Sequence, residues 1–298
     1  MRVGLFGGEG SLQAAVDGAR SAEADGFDSF WLPQIFGADA MSLLTVVGRE
    51  VPRIELGTAV VPTFPRHPIV MAAQALTVSA ASGGRFTLGI GLSHQMVIEQ
   101  MFGYSFDQPA RHMREYLEAL GPLLAGQPVS MSGETVTARA TLDVPDAPPV
   151  PVLVAALGPR MLDLAARLAA GTVTWMTGPR TLAEHTVPTI TAAAEAAGMP
   201  APRVVAALPV AVTDDPAGAR ERAAAIFQVY GMLPSYRAML DREGASGPAD
   251  VALVGTATEV RAGLDAMRDA GVTDFVAVEF HTGDPVRSAT RALLREYR

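Results

Sequence analysis

The chain has 298 residues, 49% hydrophobic and 18% charged, with a formal net charge of -8. That composition supports a large core, and the interspersed acidic charge disfavours nucleic acid or an anionic membrane surface as the main partner. The absence of cysteine and lysine excludes disulfides, thiolate nucleophiles, iron–sulfur clusters, a P-loop and lysine Schiff bases.

The first strand is expected at Arg2–Phe6, followed by a helix from Ser11, a plausible N-cap, to about Asp25, with Gly26 as its stop. The opening apolar run is too short for a signal-peptide core, and no run reaches the ~20 residues of a membrane span; a cytoplasmic protein is expected. Phe27–Leu32 reads as the second strand and Met41–Glu50 as its helix. Ile54–Val61 is the third strand, and Pro68–Ala81 its helix, with proline in the first turn.

Next come Gly83-Gly84, a turn signal, and then Arg85–Gly91, a short apolar run with two spaced glycines. This is the pattern of a buried parallel strand that delivers its C-terminal end to a ligand. Gly89 and Gly91 carry no Cβ, so backbone or a flat ligand can approach closely. Ser93 and His94 follow at the mouth. Helical segments are expected at Ile98–Phe102 and Arg111–Leu124, and the alternation in Pro128–Leu142 predicts a hairpin turning at Ser132-Gly133.

Val150–Ala155 is the fifth strand, with a helix from Pro159 to Ala169. Gly171–Met176 is the sixth, with a helix at Thr181–Ala197, and Arg203–Val212 is the seventh. Pro216–Glu243 reads as a long helical excursion and Gly244–Asp250 as a flexible link. Thr258–Ala270 is a helix, Thr273–Phe280 the eighth strand and Pro285–Arg295 the last helix. Eight strand–helix alternations predict an α/β fold, a (β/α)8 TIM barrel in one domain over residues 1–298, with the hairpin and the excursion as insertions. A doubly wound sheet shares the alternation, but no strand here is followed by a GxGxxG turn opening a helix.

In such a barrel the C-terminal strand ends carry function. They are Gly7-Gly8-Glu9, Pro33–Phe36, Pro62–His67, Leu92-Ser93-His94, Ala156–Arg160, Thr177-Gly178 and Phe280-His281. At the fifth, Gly158 permits close approach, Pro159 opens a helix whose free N–H groups and dipole face an anion, and Arg160 adds charge; a plain helix start with a solvated arginine fits the same residues. Trp175, Met176 and Thr177 end the sixth strand, where Trp175 suits either a ligand wall or the core. His67 is placed to fix the loop after the third strand, while His112 and His185 read as helix-surface residues. No HxH, HExxH or carboxylate cluster suggests a metal, and Ser93 has no paired base for a hydrolase triad.

The chain resembles the bacterial-luciferase-like flavin and deazaflavin oxidoreductases over nearly its whole length. The matching pieces are Ala24–Trp31, Glu55–Val60, Gly84–Gly91, Ala155–Pro159, and Val254–Val260 followed by Ala270-Gly271-Val272. Within the family it is most similar to the actinobacterial branch assigned to the deazaflavin coenzyme F420. The resemblance implies a non-prolyl cis peptide at Ala59-Val60 behind the cofactor ring. It implies ring and ribityl contacts at Gly91, Leu92 and Ser93, a phosphate site at Ala156, Leu157, Gly158, Pro159 and Arg160, and cofactor walls at Trp175, Met176 and Thr177.

His94 lies where some deazaflavin dehydrogenases of the family place an acidic residue, so it is the candidate acid–base group, or else a cofactor contact. Many members show Asp-His-Phe at the second strand; here Gln34-Ile35-Phe36 stands there, and Gln34 hydrogen-bonds but transfers no proton at ordinary pH. The function implied is F420-dependent hydride transfer with a small organic substrate. The alternatives are an FMN-dependent monooxygenase on the same scaffold and a non-catalytic cofactor-binding protein. A homodimer is the expected assembly.

Overall fold

The computed structural model describes residues 1–8, 10–280 and 283–297. Eight parallel strands close a barrel: β1 Arg2–Phe6, β2 Ser29–Leu32, β3 Glu55–Thr58, β4 Phe86–Gly91, β5 Val152–Val154, β6 Gly171–Trp175, β7 Arg203–Val212 and β8 Asp274–Glu279. Each pairs with the next, and β8 closes on β1 with Arg2 opposite Asp274. The strands read as continuous apolar runs because helices cover their outer faces while side chains fill the interior.

The helix boundaries follow local chemistry. Ser11 Oγ accepts from Ala14 N and Asp39 Oδ1 from Ser42 N, so each caps its helix. Gly83 ends helix Pro68–Ser82 in the left-handed region, with φ 63°. The hairpin forms as expected, Val129–Ser132 against Thr137–Ala140. Buried Glu115 holds its turn by accepting the N–H groups of Thr135 and Val136 at 2.8 and 3.0 Å.

The excursion is mostly helical, as expected, in two pieces: Pro216–Phe227 and Pro234–Glu243 are α-helices joined by a 3-10 turn, Gln228–Gly231. Pro234 has no N–H to continue the first helix, and Leu233 before it is extended. The link after it is ordered by Asp250, whose carboxylate accepts from Ser246 N and Gly247 N. It leads into a short strand, Leu253–Gly255, parallel to the end of β7. The following helix, Ala257–Asp269, is capped by Thr256 in a capping box with Glu259 and begins one residue before the expected start.

The N-terminal end of the barrel is closed by charge. Arg203 donates to Glu55 at 2.7 Å and to Asp274 at 2.7 and 2.9 Å. Arg2 pairs with the same two carboxylates at 2.6 and 3.2 Å. The Arg203 guanidinium also lies 5.7 Å from the centroid of buried Trp31, which fills the interior above it. Gly57 makes room for that indole; a Cβ there would sit 2.2 Å from it. Charge and the Trp31 indole fill this end, and the candidate site is sought at the other, where the C-terminal strand ends lie.

Candidate functional site

At the C-terminal end the floor is set by a bulge in the third strand. Gly57 pairs with Thr87, but Val61 pairs with Ile90, so the third strand gains one residue on β4. Thr58 Oγ1 bridges the gap, donating to Gly89 O at 2.8 Å and accepting from Gly89 N at 2.9 Å. The Ala59–Val60 peptide in this bulge is cis, where the resemblance implies it. Ala59, Val60, Ala155, Phe6, Trp175 and Val278 then pack on the inner column of the barrel. Gly91 is required here, since its Cβ would lie 2.7 Å from Val60 Cγ2. The result is a flat apolar floor beneath the mouth.

The wall and roof are aromatic. Trp175 stacks near Phe6, centroids 6.5 Å apart, and receives Phe227 and Tyr230 edge-on at 5.5 and 5.7 Å. Tyr230 meets Tyr236 at 5.1 Å, and Tyr236 meets His94 at 5.9 Å. The excursion therefore reaches from above β6 to the mouth of β4. The Trp175 indole N–H is buried, with the Tyr230 ring edge-on beside it. Ser93 and Met176, beside these rings, hold positive φ of 61° and 53°, conformations uncommon for non-glycine residues. Leu92 is half-buried; Met176 and Thr177 are buried. Burial pushes the His94 imidazole below its ordinary pKa, so it is neutral at neutral pH.

The fifth mouth carries a helix start with nothing on it. Gly158 precedes helix Pro159–Leu168 in extended conformation, and no side chain caps that helix. A Cβ at Gly158 would meet no protein atom within 4 Å. Glycine is thus not demanded by the chain's own packing, and the space it leaves is open to a ligand. His185 braces this loop, its Nε2 2.8 Å from Leu157 O. Ala156 is buried beneath it, and Arg160 is exposed and makes no ion pair among the described residues.

The same tripeptide, Gly-Pro-Arg, recurs at 178–180 at the sixth mouth. There Glu243 supplies the anion: its carboxylate accepts from Arg180 N at 3.1 Å and Thr181 N at 2.7 Å. A Cβ at Gly178 would lie 2.3 Å from that carboxyl group. One copy of the element is filled from within the protein and the other is open. The repeated tripeptide was the signal available in the sequence.

The remaining predicted residues sort as follows. Gln34 stands at the second mouth, but its Oε1 accepts from Ala40 N at 2.8 Å, which gives it a structural task. His67 fixes the third loop, with Nδ1 accepting from Ile69 N and Nε2 2.9 Å from Thr137 O. His112 and His185 are not surface residues. His112 is buried, stacks on Phe64 at 4.0 Å and meets Thr63 Oγ1 at 3.1 Å. Glu9 and His281 lie outside the described residues. Among the described residues no group of three or more His, Asp or Glu is placed for a metal, and no helix is long and apolar enough to cross a membrane.

The closed (β/α)8 barrel thus brings together on one rim an apolar floor behind a cis bulge and, one strand away, a helix start that no side chain caps. The chain belongs to the luciferase-like monooxygenase family, which it matches over residues 2–274. It is 29% identical over 288 residues to a 5,10-methylenetetrahydromethanopterin reductase of Methanolobus tindarius, covering 87% of this chain and 88% of the relative. Its fold is similar to that of an F420-dependent secondary alcohol dehydrogenase in complex with an F420–acetone adduct. The TM-score is 0.83 at 19% identity, over 100% of this chain and 98% of the other. It is also similar to the oxygenating constituent of 3,6-diketocamphane monooxygenase from Pseudomonas putida in complex with FMN. There the TM-score is 0.76 at 17% identity, over 99% and 96%.

Proposed function

We propose that the protein is an oxidoreductase that uses coenzyme F420 to transfer hydride to or from a small, uncharged organic substrate. The observation that carries this is the juxtaposition on one rim of the Ala59–Val60 floor, His94 and the open helix start at Gly158. The bound deazaflavin would supply the hydride chemistry; the protein supplies position and a proton. Gly158, the Arg160 N–H and the Arg160 side chain are suited to its phosphate, and Gly91, Leu92 and Ser93 to its ring and ribityl chain.

Neutral His94 accepts a proton at the mouth, and the imidazolium so formed returns one in the reverse direction, with Tyr236 packed against it. Gln34, engaged by Ala40 N, takes no part in proton transfer. The ring-lined roof of Phe227, Tyr230 and Tyr236 favours an uncharged substrate, since a charge there would lose hydration without a partner.

The likeness to an FMN-bound monooxygenase supports a second reading, an FMN-dependent monooxygenase. Titrating the purified protein separately with F420 and FMN, followed by fluorescence, distinguishes the two. Micromolar FMN binding with oxygen consumption, and no deazaflavin binding, overturns F420 dependence. Tight F420 binding with no hydride transfer to any carbonyl, alkene or imine acceptor tried indicates a non-catalytic carrier.

A further inference from the structure

Two helix starts at this rim that lack a side-chain cap are neighbours. Ser11, Asp39, His67, Asp215 and Thr256 cap their helices with side chains, but Gln108, before helix Pro109–Leu124, and Gly158 do not. Between the first turns of these two helices lies an open cleft of about 520 Å³, lined by Arg111, Arg114, Pro159, Arg160 and Asp163 among others. Three arginines face one carboxylate there, in a chain whose net charge is -8.

The lone acid is already engaged: Asp163 accepts from Arg167 at 2.8 Å. Arg160 makes no ion pair among the described residues, and Arg114 comes no nearer to Glu115 and Glu118 than 3.9 and 3.8 Å. Arg111 pairs with Glu134 on the exposed hairpin. The cleft is therefore an anion-favouring surface with cationic capacity to spare. It begins at Pro159, beside the cradle assigned above to a phosphate.

We infer that this cleft binds a chain of carboxylates continuing outward from that phosphate, the oligoglutamate tail by which F420 differs from FMN. The inference rests on the F420 reading and adds a site for selecting the cofactor. FMN ends at its phosphate and leaves the cleft empty. A γ-linked glutamate chain places successive carboxylates along it, within reach of Arg160, then Arg111 and Arg114. Each contact is solvent-exposed and screened by salt, so each is worth up to about fivefold in affinity.

The test is equilibrium binding, read by deazaflavin fluorescence at low and high salt. Ligands are F420 species with one and with several glutamates, the phosphate-free deazaflavin riboside and FMN. The proteins are wild type, Arg114→Gln and Arg111→Gln, each checked for an unchanged thermal midpoint. The expected result is about fivefold or greater tightening with the longer tail, lost in high salt and reduced by each substitution, while FMN affinity is unaltered. Affinity independent of tail length overturns the cleft assignment and leaves F420 dependence standing. So does equal weakening of FMN and of every F420 species by the substitutions. Binding of FMN with no binding of any deazaflavin overturns both.

Discussion

Gly158 and Gly178 begin the same tripeptide, and alanine at each should separate ligand binding from stability. Both have extended backbones, φ -86° and -78°, that alanine adopts without strain. At Gly158 the new methyl meets no protein atom within 4 Å. Lower unfolded-state entropy contributes about 0.4–1 kcal/mol, and the poorer N-cap costs a similar amount. The midpoint of Gly158→Ala should therefore stay within about 2 °C of wild type. The methyl occupies the cradle, however, and displaces a phosphate from the helix N–H. Losing one charge-assisted hydrogen bond, about 1.5–3 kcal/mol, weakens a phosphate-bearing cofactor roughly 10- to 150-fold. At Gly178 the methyl would lie 2.3 Å from the Glu243 carboxyl group, which must leave Arg180 N and Thr181 N. That costs about 2 kcal/mol, a fall of roughly 3 °C, with cofactor affinity little changed. Thermal melts and fluorescence titrations on the two variants, with a phosphate-free deazaflavin as control ligand, give the answer. Unaltered phosphate-cofactor affinity in Gly158→Ala, or a melt like that of Gly178→Ala, refutes the cradle.

Three further outcomes are expected. Arg203→Met leaves Asp274 and Glu55 with half-exposed Arg2 as their one shared cation, and should cost about 3 kcal/mol in urea unfolding while leaving cofactor affinity unchanged; a neutral effect would show that Arg2 alone holds this end. Burial, opposed by Glu115, depresses the His112 pKa from 6.5 to about 4. The folded state thus binds fewer protons than the unfolded chain between those values. The stability His112 contributes is complete above pH 6.5 and falls away toward pH 4, by up to about 3 kcal/mol. His112→Phe should flatten that slope in pH-dependent melts, and an unchanged slope would count against burial as its cause. Tyr236→Ala uncovers His94, so its pKa rises toward the ordinary value and the acidic limb of kcat/KM moves to higher pH, with cofactor affinity nearly constant. A stationary limb would remove His94 from proton transfer.

Local and periodic features were legible in the chain itself. The eight barrel strands stand out because each is a short apolar run between turn signals, and the hairpin because it alternates around Ser132-Gly133. The cis bulge followed from family resemblance; an ordinary β-branched strand has the same composition. What escaped depends on partners far along the chain. His112 sits on a helix face that a sequence reading assigns to solvent, yet the loop at Thr63-Phe64, some 50 residues earlier, covers it. Glu243 fills the helix start at 178–180 from the end of the excursion, and nothing near that start announces it. Gln34 is the opposite case: its partner Ala40 N is six residues ahead, in the first turn of the next helix. A Gln-x-x-x-x-Asp run entering a helix could have been read as capping.

On the proposed function, substrate choice and cofactor hold fall to separate parts of the rim. The excursion is fixed at both ends. Asp215 caps its first helix through Gly218 N, and Glu243 ties its last to the 178–180 start. Arg237 donates to the carbonyls of Ala245 and Ser246, and the strand Leu253–Gly255 then rejoins β7. Between these anchors the chain makes a single bend at Gln228–Gly231, and Met232 after it is 69% exposed. The rings that face the mouth, Phe227, Tyr230 and Tyr236, all lie in this suspended middle. Their size can change without touching the Ala59–Val60 floor or the Gly158 cradle. The floor, by contrast, tolerates almost nothing, since a methyl at Gly89 would sit 1.9 Å from Thr58 O. With the proposed cofactor on that floor, the roof above it is free to vary, and side-chain exchanges at Tyr230 and Tyr236 should alter turnover with different acceptors before they alter the thermal midpoint.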